Sequence, residues 1–154
     1  MRSSPVDDEK VGVKGMAIVV ESIQKKHMDT VIDMLHNYMS EFQPPKEELN
    51  DIWNVFVSQS NVHSVVAILD DEVVGFGTVV IETKIRGGHM GHIEDIVSHE
   101  DFRGKGIGKA IVQSLSRIAK EEGCYKVALQ CKEDNIEFYQ QCGYEVSGIT
   151  MQRF

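Results

Sequence analysis

The chain has 154 residues, of which 42% are hydrophobic and 26% charged, with a formal net charge of −8. This is the length of one domain, enough to bury about 68–70% of the unfolded surface in a single core without disulfide or metal staples. The acidic balance argues against a nucleic-acid binder, which carries a basic patch, and apolar runs such as Thr78–Ile81 are far too short to span a bilayer.

Residues 1–14 are polar and charged, without the apolar stretch of a secretory signal, and read as a disordered lead to a single domain over 15–154. Val13–Val20 is rich in Val and Ile and predicts a first strand. Lys26–Met39 carries Met28, Val31, Ile32, Leu35, Tyr38 and Met39 at helical spacing. After the Pro44-Pro45 break, Pro45 can open a second helix with Leu49, Ile52, Trp53 and Phe56 on one face. Val62–Leu69 and Val73–Ile85 predict a hairpin turning at Asp70-Asp71-Glu72, and Gly91–Ser98 a further strand. Gly106–Glu122 is an amphipathic helix stopped by Gly123, with Ile107, Ile111, Leu115, Ile118 and Ala119 facing inward. Tyr125–Cys131 predicts a strand, Asn135–Gln141 a short helix, and Tyr144–Gly148 and Thr150–Phe154 the last strands. The expected fold is α/β in the α+β sense: a mixed, mostly antiparallel sheet flanked by about four helices, with one parallel crossover late in the chain.

The segment Phe102–Ala110 carries most of the chemistry. Gly104, Gly106 and Gly108 alternate between a strand and a helix, so successive backbone N–H groups can turn inward unobstructed. The helix start adds free N–H groups and its dipole, and Arg103, Lys105 and Lys109 add charge. This suits a pyrophosphate. It is not a Walker A loop, since Ala110 follows Lys109, and the spacing differs from the dinucleotide fingerprint. The pattern Arg103-x-x-Gly106-x-Gly108 resembles the coenzyme A loop of the GNAT acetyltransferase superfamily.

Further segments narrow the resemblance. Gly91-His92-Ile93-Glu94-Asp95-Ile96, Gly123-Cys124-Tyr125-Lys126, Asn135 through Phe138-Tyr139, and Cys142-Gly143-Tyr144 are similar to the glucosamine 6-phosphate N-acetyltransferases, almost without a gap from Gly91 to Gly148. The resemblance implies acetyl transfer from acetyl-CoA to the 2-amine of D-glucosamine 6-phosphate, toward UDP-N-acetylglucosamine, by a homodimer with shared sites and without a metal. It implies that the backbone of Ile96, Val97 and Ser98 pairs with the pantetheine arm, that Arg103, Gly104, Lys105, Gly106, Ile107, Gly108 and Lys109 bind the pyrophosphate, and that Asn135 also serves the donor. Glu94, Asp95 and Ile96 would line the sugar site. Tyr125 and Lys126 would reach the sugar phosphate from the second subunit, with Lys84 and Arg86. Tyr139 would face the departing sulfur, a role its protonated phenol suits.

Two positions depart from the family. Gln130 stands where an acidic residue commonly precedes the cysteine; it can accept a hydrogen bond but no proton, which leaves the Cys131 carbonyl, a water or Asp95 to take the proton. Arg153, the arginine available to the sugar phosphate at the C-terminus, falls one residue out of register, enough to flip a strand side chain to the other face. Glu94 and Asp95 are adjacent on a strand and point to opposite faces unless a bulge intervenes.

Other readings stay open on the residues alone. Tyr139 can be a core tyrosine beside Phe138, and Lys84, Arg86 and Lys126 can be surface charge. His89, His92 and Asp95 have no zinc-like spacing, and Cys131 and Cys142 have no activating base nearby in sequence. The rival functions are acetylation of a peptide amine or polyamine, and a non-catalytic acyl-CoA-binding module. Three cysteines in no CxxC pattern suit reduced thiols inside the cell, in the cytoplasm or, alternatively, a peroxisome-like organelle.

Overall fold

A computed structural model describes residues 9–13, 16–39 and 42–154. Six strands form one sheet in sequence order: β1 (Glu9–Val13), β2 (Met16–Ser22), β3 (Val62–Leu69), β4 (Glu72–Thr83), β5 (His89–Ser98) and β6 (Cys124–Leu129). All neighbours are antiparallel except β5 and β6, which run parallel. Four helices accompany the sheet: α1 (Met28–Tyr38), α2 (Leu49–Val57), α3 (Ile107–Glu121) and α4 (Ile136–Gln141). Helix α3 is the crossover that carries the chain from β5 back to a parallel β6.

The strand period of two sorts the core onto two faces. Val65, Ala67 and Leu69 of β3 pack with Ile107, Ile111, Leu115 and Ile118 of α3, whereas the intervening Val66 joins Phe76, Val97 and the α1 residues Val31 and Met34. The sheet is therefore covered by α3 on one side and α1 on the other. Ile111 and Leu115 are fully buried, and each such side chain contributes about 1.5–3 kcal/mol. The β3–β4 hairpin turns at Asp70 (φ 49°) and Asp71 (φ 63°), the left-handed pair that matches the twist of its strands.

The structure corrects several expectations. Glu9–Val13, expected within the lead, pairs with β2 as an edge strand whose backbone groups complete a ladder; residues 1–8 lie outside the described residues. Strand β4 ends at Thr83 rather than Ile85, because Lys84–Gly88 closes a turn through Lys84 N–H to Gly88 C=O (3.0 Å) and Gly87 N–H to Lys84 C=O (2.9 Å). Tyr144–Gly148 and Thr150–Phe154 form no strand. A strand needs a ladder partner, and among the described residues none pairs with this tail: Ile149, Met151 and Phe154 are almost fully exposed. Helix α2 buries none of its residues; Trp53 and Phe56 pack on each other at 6.4 Å between ring centroids. No helix among the described residues is long and apolar enough to cross a membrane.

Candidate functional site

The chemistry gathers where β5 and β6 part. Their parallel pairing runs from His89 opposite Cys124 to Ile93 opposite Leu129 and stops there. Strand β5 continues to Ser98 beside β4 alone, with Thr78 opposite Glu94 and Phe76 opposite Val97. Glu94–Ser98 thus offers one unpaired edge, a ready template for an extended ligand with amide groups. Between those two β4 partners, Gly77 faces both Asp95 and Ile96, a β-bulge, with Asp95 in the left-handed region (φ 55°). The bulge breaks the alternation expected of adjacent residues, and both Glu94 and Asp95 are exposed. Gly77 is needed opposite it: an added Cβ would come within 2.6 Å of Ile96 Cδ1 and 2.7 Å of Ile111 Cγ2. Gln130, one residue past the last pair of β6, is exposed at the mouth of the split.

The glycine loop follows β5. A 3-10 turn over Glu100–Phe102 leads through Arg103 to Gly104 (φ 81°) and Gly106 (φ 82°), the cap of α3. Neither glycine would meet an atom within 4 Å if it gained a Cβ, so conformation, not space, selects glycine there. The Gly106 carbonyl accepts from Ala110 N–H at 3.0 Å. The N–H groups of Ile107, Gly108 and Lys109 precede that bond and lack carbonyl partners in the helix. The first turn holds no acidic residue and no side-chain cap. Three basic residues, Arg103, Lys105 and Lys109, flank these donors, which together can hold an anion of pyrophosphate size. Arg103 extends its guanidinium over the Tyr38 ring, 5.4 Å from the centroid. The helical spacing marks Tyr38 only as one of the apolar residues of α1; nothing in the local pattern signals a partner 65 positions away.

Gly108 serves a different purpose. Its Cα faces the Phe138 ring, which a Cβ would meet at 3.1 Å, so α4 rests directly on the first turn of α3. Phe138 in turn packs edge-on against Tyr139 at 4.9 Å, and Tyr139 faces Tyr144 at 6.5 Å. Tyr144 is pinned by a 2.6 Å hydrogen bond between its hydroxyl and Ser116 of α3. This chain of rings holds Tyr139 half-buried beside the loop. Burial pushes the Tyr139 phenol above its ordinary range, and the nearby Cys131 and Cys142 add to the rise. The phenol is therefore a proton donor at neutral pH. Asn135 ends the 3-10 turn that caps α4 and is exposed.

Elsewhere the cationic residues separate. The Arg86 Nη2 donates to the Tyr125 hydroxyl at 2.8 Å, and the Tyr125 ring lies against Gly88. Lys84 instead pairs with Glu82 at 2.9 Å, and Glu82 also meets His92 at 2.8 Å. The turn that ends β4 breaks the strand alternation, so Lys84 and Arg86 take separate partners here. Tyr125 and Lys126 are exposed on β6 at the level of His89 and Met90. That is five residues from the bulge, roughly 16 Å along a strand at about 3.3 Å per residue. Arg153 lies on the exposed tail.

Residues 28–144 match the family described as "Acetyltransferase (GNAT) family". The chain is 31% identical to "Glucosamine 6-phosphate N-acetyltransferase 1" of Dictyostelium discoideum over 97% of its own length and 93% of the relative's. It is 36% identical to the glucosamine 6-phosphate N-acetyltransferase of Candida albicans over 69% of its length and 74% of that protein's. Among solved structures, glucosamine-6-phosphate N-acetyltransferase from Arabidopsis thaliana superposes with a TM-score of 0.83 at 29% identity, covering 89% of this chain and 97% of that one.

Proposed function

From the premise that the chain belongs to the acetyltransferase (GNAT) family, in the branch of the glucosamine 6-phosphate N-acetyltransferases, we propose that it transfers an acetyl group from acetyl-CoA to the 2-amine of D-glucosamine 6-phosphate. The product, N-acetylglucosamine 6-phosphate, would feed UDP-N-acetylglucosamine synthesis. The observation that carries the reading is the split between β5 and β6, opposite a bulge, with the glycine loop at one end and Tyr139 beside it.

In this reading the free edge of Ile96, Val97 and Ser98 binds the amides of the pantetheine arm. The loop from Arg103 to Lys109 binds the pyrophosphate, with Asn135 at the donor side. The thioester then lies at the bulge, whose backbone N–H groups at Asp95–Ile96 stand out of the ladder and can donate to the developing oxyanion. Glu94 and Asp95 hold the sugar. Gln130 accepts a hydrogen bond from the amine, and the Asp95 carboxylate takes its proton. Tyr139 donates a proton to the departing thiolate. Holding the two reactants together supplies up to ~7–11 kcal/mol, and an acid such as Tyr139 a further ~10²–10⁴-fold.

The sugar phosphate is the part of the substrate that one chain does not reach, because Arg86, Tyr125 and Lys126 lie at the far end of β5 from Glu94 and Asp95. A homodimer that brings these residues, with Lys84, and the exposed tail carrying Arg153 to the second subunit's cleft would complete the site. A monomeric mass by light scattering at micromolar concentration would sink this. A cytoplasmic setting agrees with three unpaired cysteines.

The test follows thiol release from acetyl-CoA with glucosamine 6-phosphate, and in parallel with glucosamine, a lysine peptide and spermidine. Fast release with the phosphorylated sugar alone is expected. Release with the peptide or polyamine overturns the substrate, and binding of acetyl-CoA without release to any acceptor overturns the catalytic reading.

A further inference from the structure

One contact at the donor end belongs to no step above. Arg103 leaves the 3-10 turn with extended backbone (φ −63°, ψ 148°) and an exposed side chain. Its guanidinium carbon lies 5.4 Å from the centroid of the Tyr38 ring, inside the ~6 Å within which a ring face attracts a cation. Tyr38 is not a loose surface ring. It packs against the core group of Val31, Met34, Val66, Phe76 and Val97, and meets His99 edge-on at 5.9 Å. His99 is fixed in turn: it packs on Phe102 at 5.5 Å, and its Nδ1 accepts from the Asp101 N–H at 3.2 Å. The last turn of α1, the end of β5 and the entry to the glycine loop are thereby locked into one wall, with Arg103 laid against it.

We propose that Tyr38 is a positioning residue for the donor: its ring holds the Arg103 guanidinium beside the glycine loop, so that the cation is already in place when the pyrophosphate arrives. A free arginine side chain gives up rotamer entropy when it clamps an anion. An arginine already resting on a fixed ring gives up less, and the difference falls on donor binding alone. The inference rests on the reading that the glycine loop binds the donor's pyrophosphate. Tyr38 acts through Arg103 and touches no reacting atom.

The experiment measures binding of coenzyme A to the full chain by calorimetry, together with kcat and the KM of each substrate. The variants are Arg103→Ala, Tyr38→Leu, Tyr38→Phe and the double variant Tyr38→Leu/Arg103→Ala. Tyr38→Leu is expected to raise the coenzyme A Kd and the acetyl-CoA KM roughly three- to fivefold, equivalent to ~0.6–1 kcal/mol. Tyr38→Phe keeps the ring and should match wild type. The double variant should bind no worse than Arg103→Ala, and in the single Tyr38 variants, which keep Arg103, kcat and the acceptor KM should hold. Equal losses from Tyr38→Leu with and without Arg103, or no loss in its presence, overturn the proposal and leave the loop's role intact. An Arg103→Ala variant that binds coenzyme A like wild type overturns the loop reading itself, and the proposal with it. Should Tyr38→Leu fail to fold, Tyr38→Met fills the same space without a ring and is read by the same comparison.

Discussion

Replacing Gly77 with alanine tests the link between the core and the bulge. The new Cβ would lie 2.6 Å from Ile96 Cδ1, 2.7 Å from Ile111 Cγ2 and 2.9 Å from Leu115 Cδ1. The Ile96 and Leu115 carbons end rotatable side chains and can turn away. Ile111 Cγ2 cannot, because it hangs on the branched Cβ of a fully buried helical residue with one favoured rotamer. Relief requires α3 to lift from β4 or β5 to shift at the bulge. Overpacking of this kind costs about 1–3 kcal/mol, and the entropy that alanine removes from the unfolded chain returns ~0.4–1 kcal/mol. The midpoints of these ranges leave a net loss of about 1.3 kcal/mol, which at ~2–4 °C per kcal/mol lowers Tm by roughly 3–5 °C. Because Ile96 sits in the bulge, displacement there should also lower kcat/KM, by up to ~10²-fold for a shift near 1 Å. Thermal unfolding by circular dichroism and steady-state thiol release measure both. A Gly77→Ala chain with unchanged Tm and unchanged kcat/KM would refute the argument that the glycine is there for space.

Three further outcomes follow from the same structure. Tyr139→Phe should lower kcat by ~10²–10⁴ while leaving coenzyme A binding intact; since burial raises the phenol's pKa, wild-type activity should show no loss from Tyr139 ionisation below about pH 10. Arg86→Ala should raise the KM for glucosamine 6-phosphate by roughly 10–100-fold, the value of a charge-assisted hydrogen bond, while leaving the Kd of coenzyme A unchanged; an equal loss of coenzyme A binding would remove Arg86 from the phosphate site. His27 is buried, its Nδ1 accepts from the Gln24 N–H at 3.0 Å, and burial holds its pKa below the ordinary value of about 6.5, against an opposing pull from Glu21. The unfolded chain therefore takes up the proton first. The stability tied to neutral His27 is fully present above about pH 6.5 and is lost as the pH falls through 6.5 toward the lower folded value. The Tm of the wild type should fall over that interval more steeply than that of His27→Gln.

Local patterns in the sequence determined much of this protein. The spacing of Ile107, Ile111, Leu115 and Ile118 fixes α3 and its buried face, because a helix places every third or fourth residue on one side. Gly104 and Gly106 before it fix a left-handed loop through backbone conformation, which is a property of a few adjacent residues. Tyr139 was legible through the segments around it, where its helix and neighbours follow a family pattern. What the sequence left open depends on pairing between distant segments. Whether Glu94 and Asp95 share a cleft turns on a bulge that exists only because Gly77 of β4 faces two residues of β5. That Lys84 turns to Glu82 while Arg86 reaches Tyr125 follows from where β4 ends, and that end is set by the turn's own hydrogen bonds. Tyr144–Phe154 has the residues of a strand but pairs in a ladder with no strand among the described residues. A strand's side-chain preferences are local, but its hydrogen bonds are not. The sequence alone therefore determined the helix, the loop and the family, while the tertiary structure decided which side chains meet.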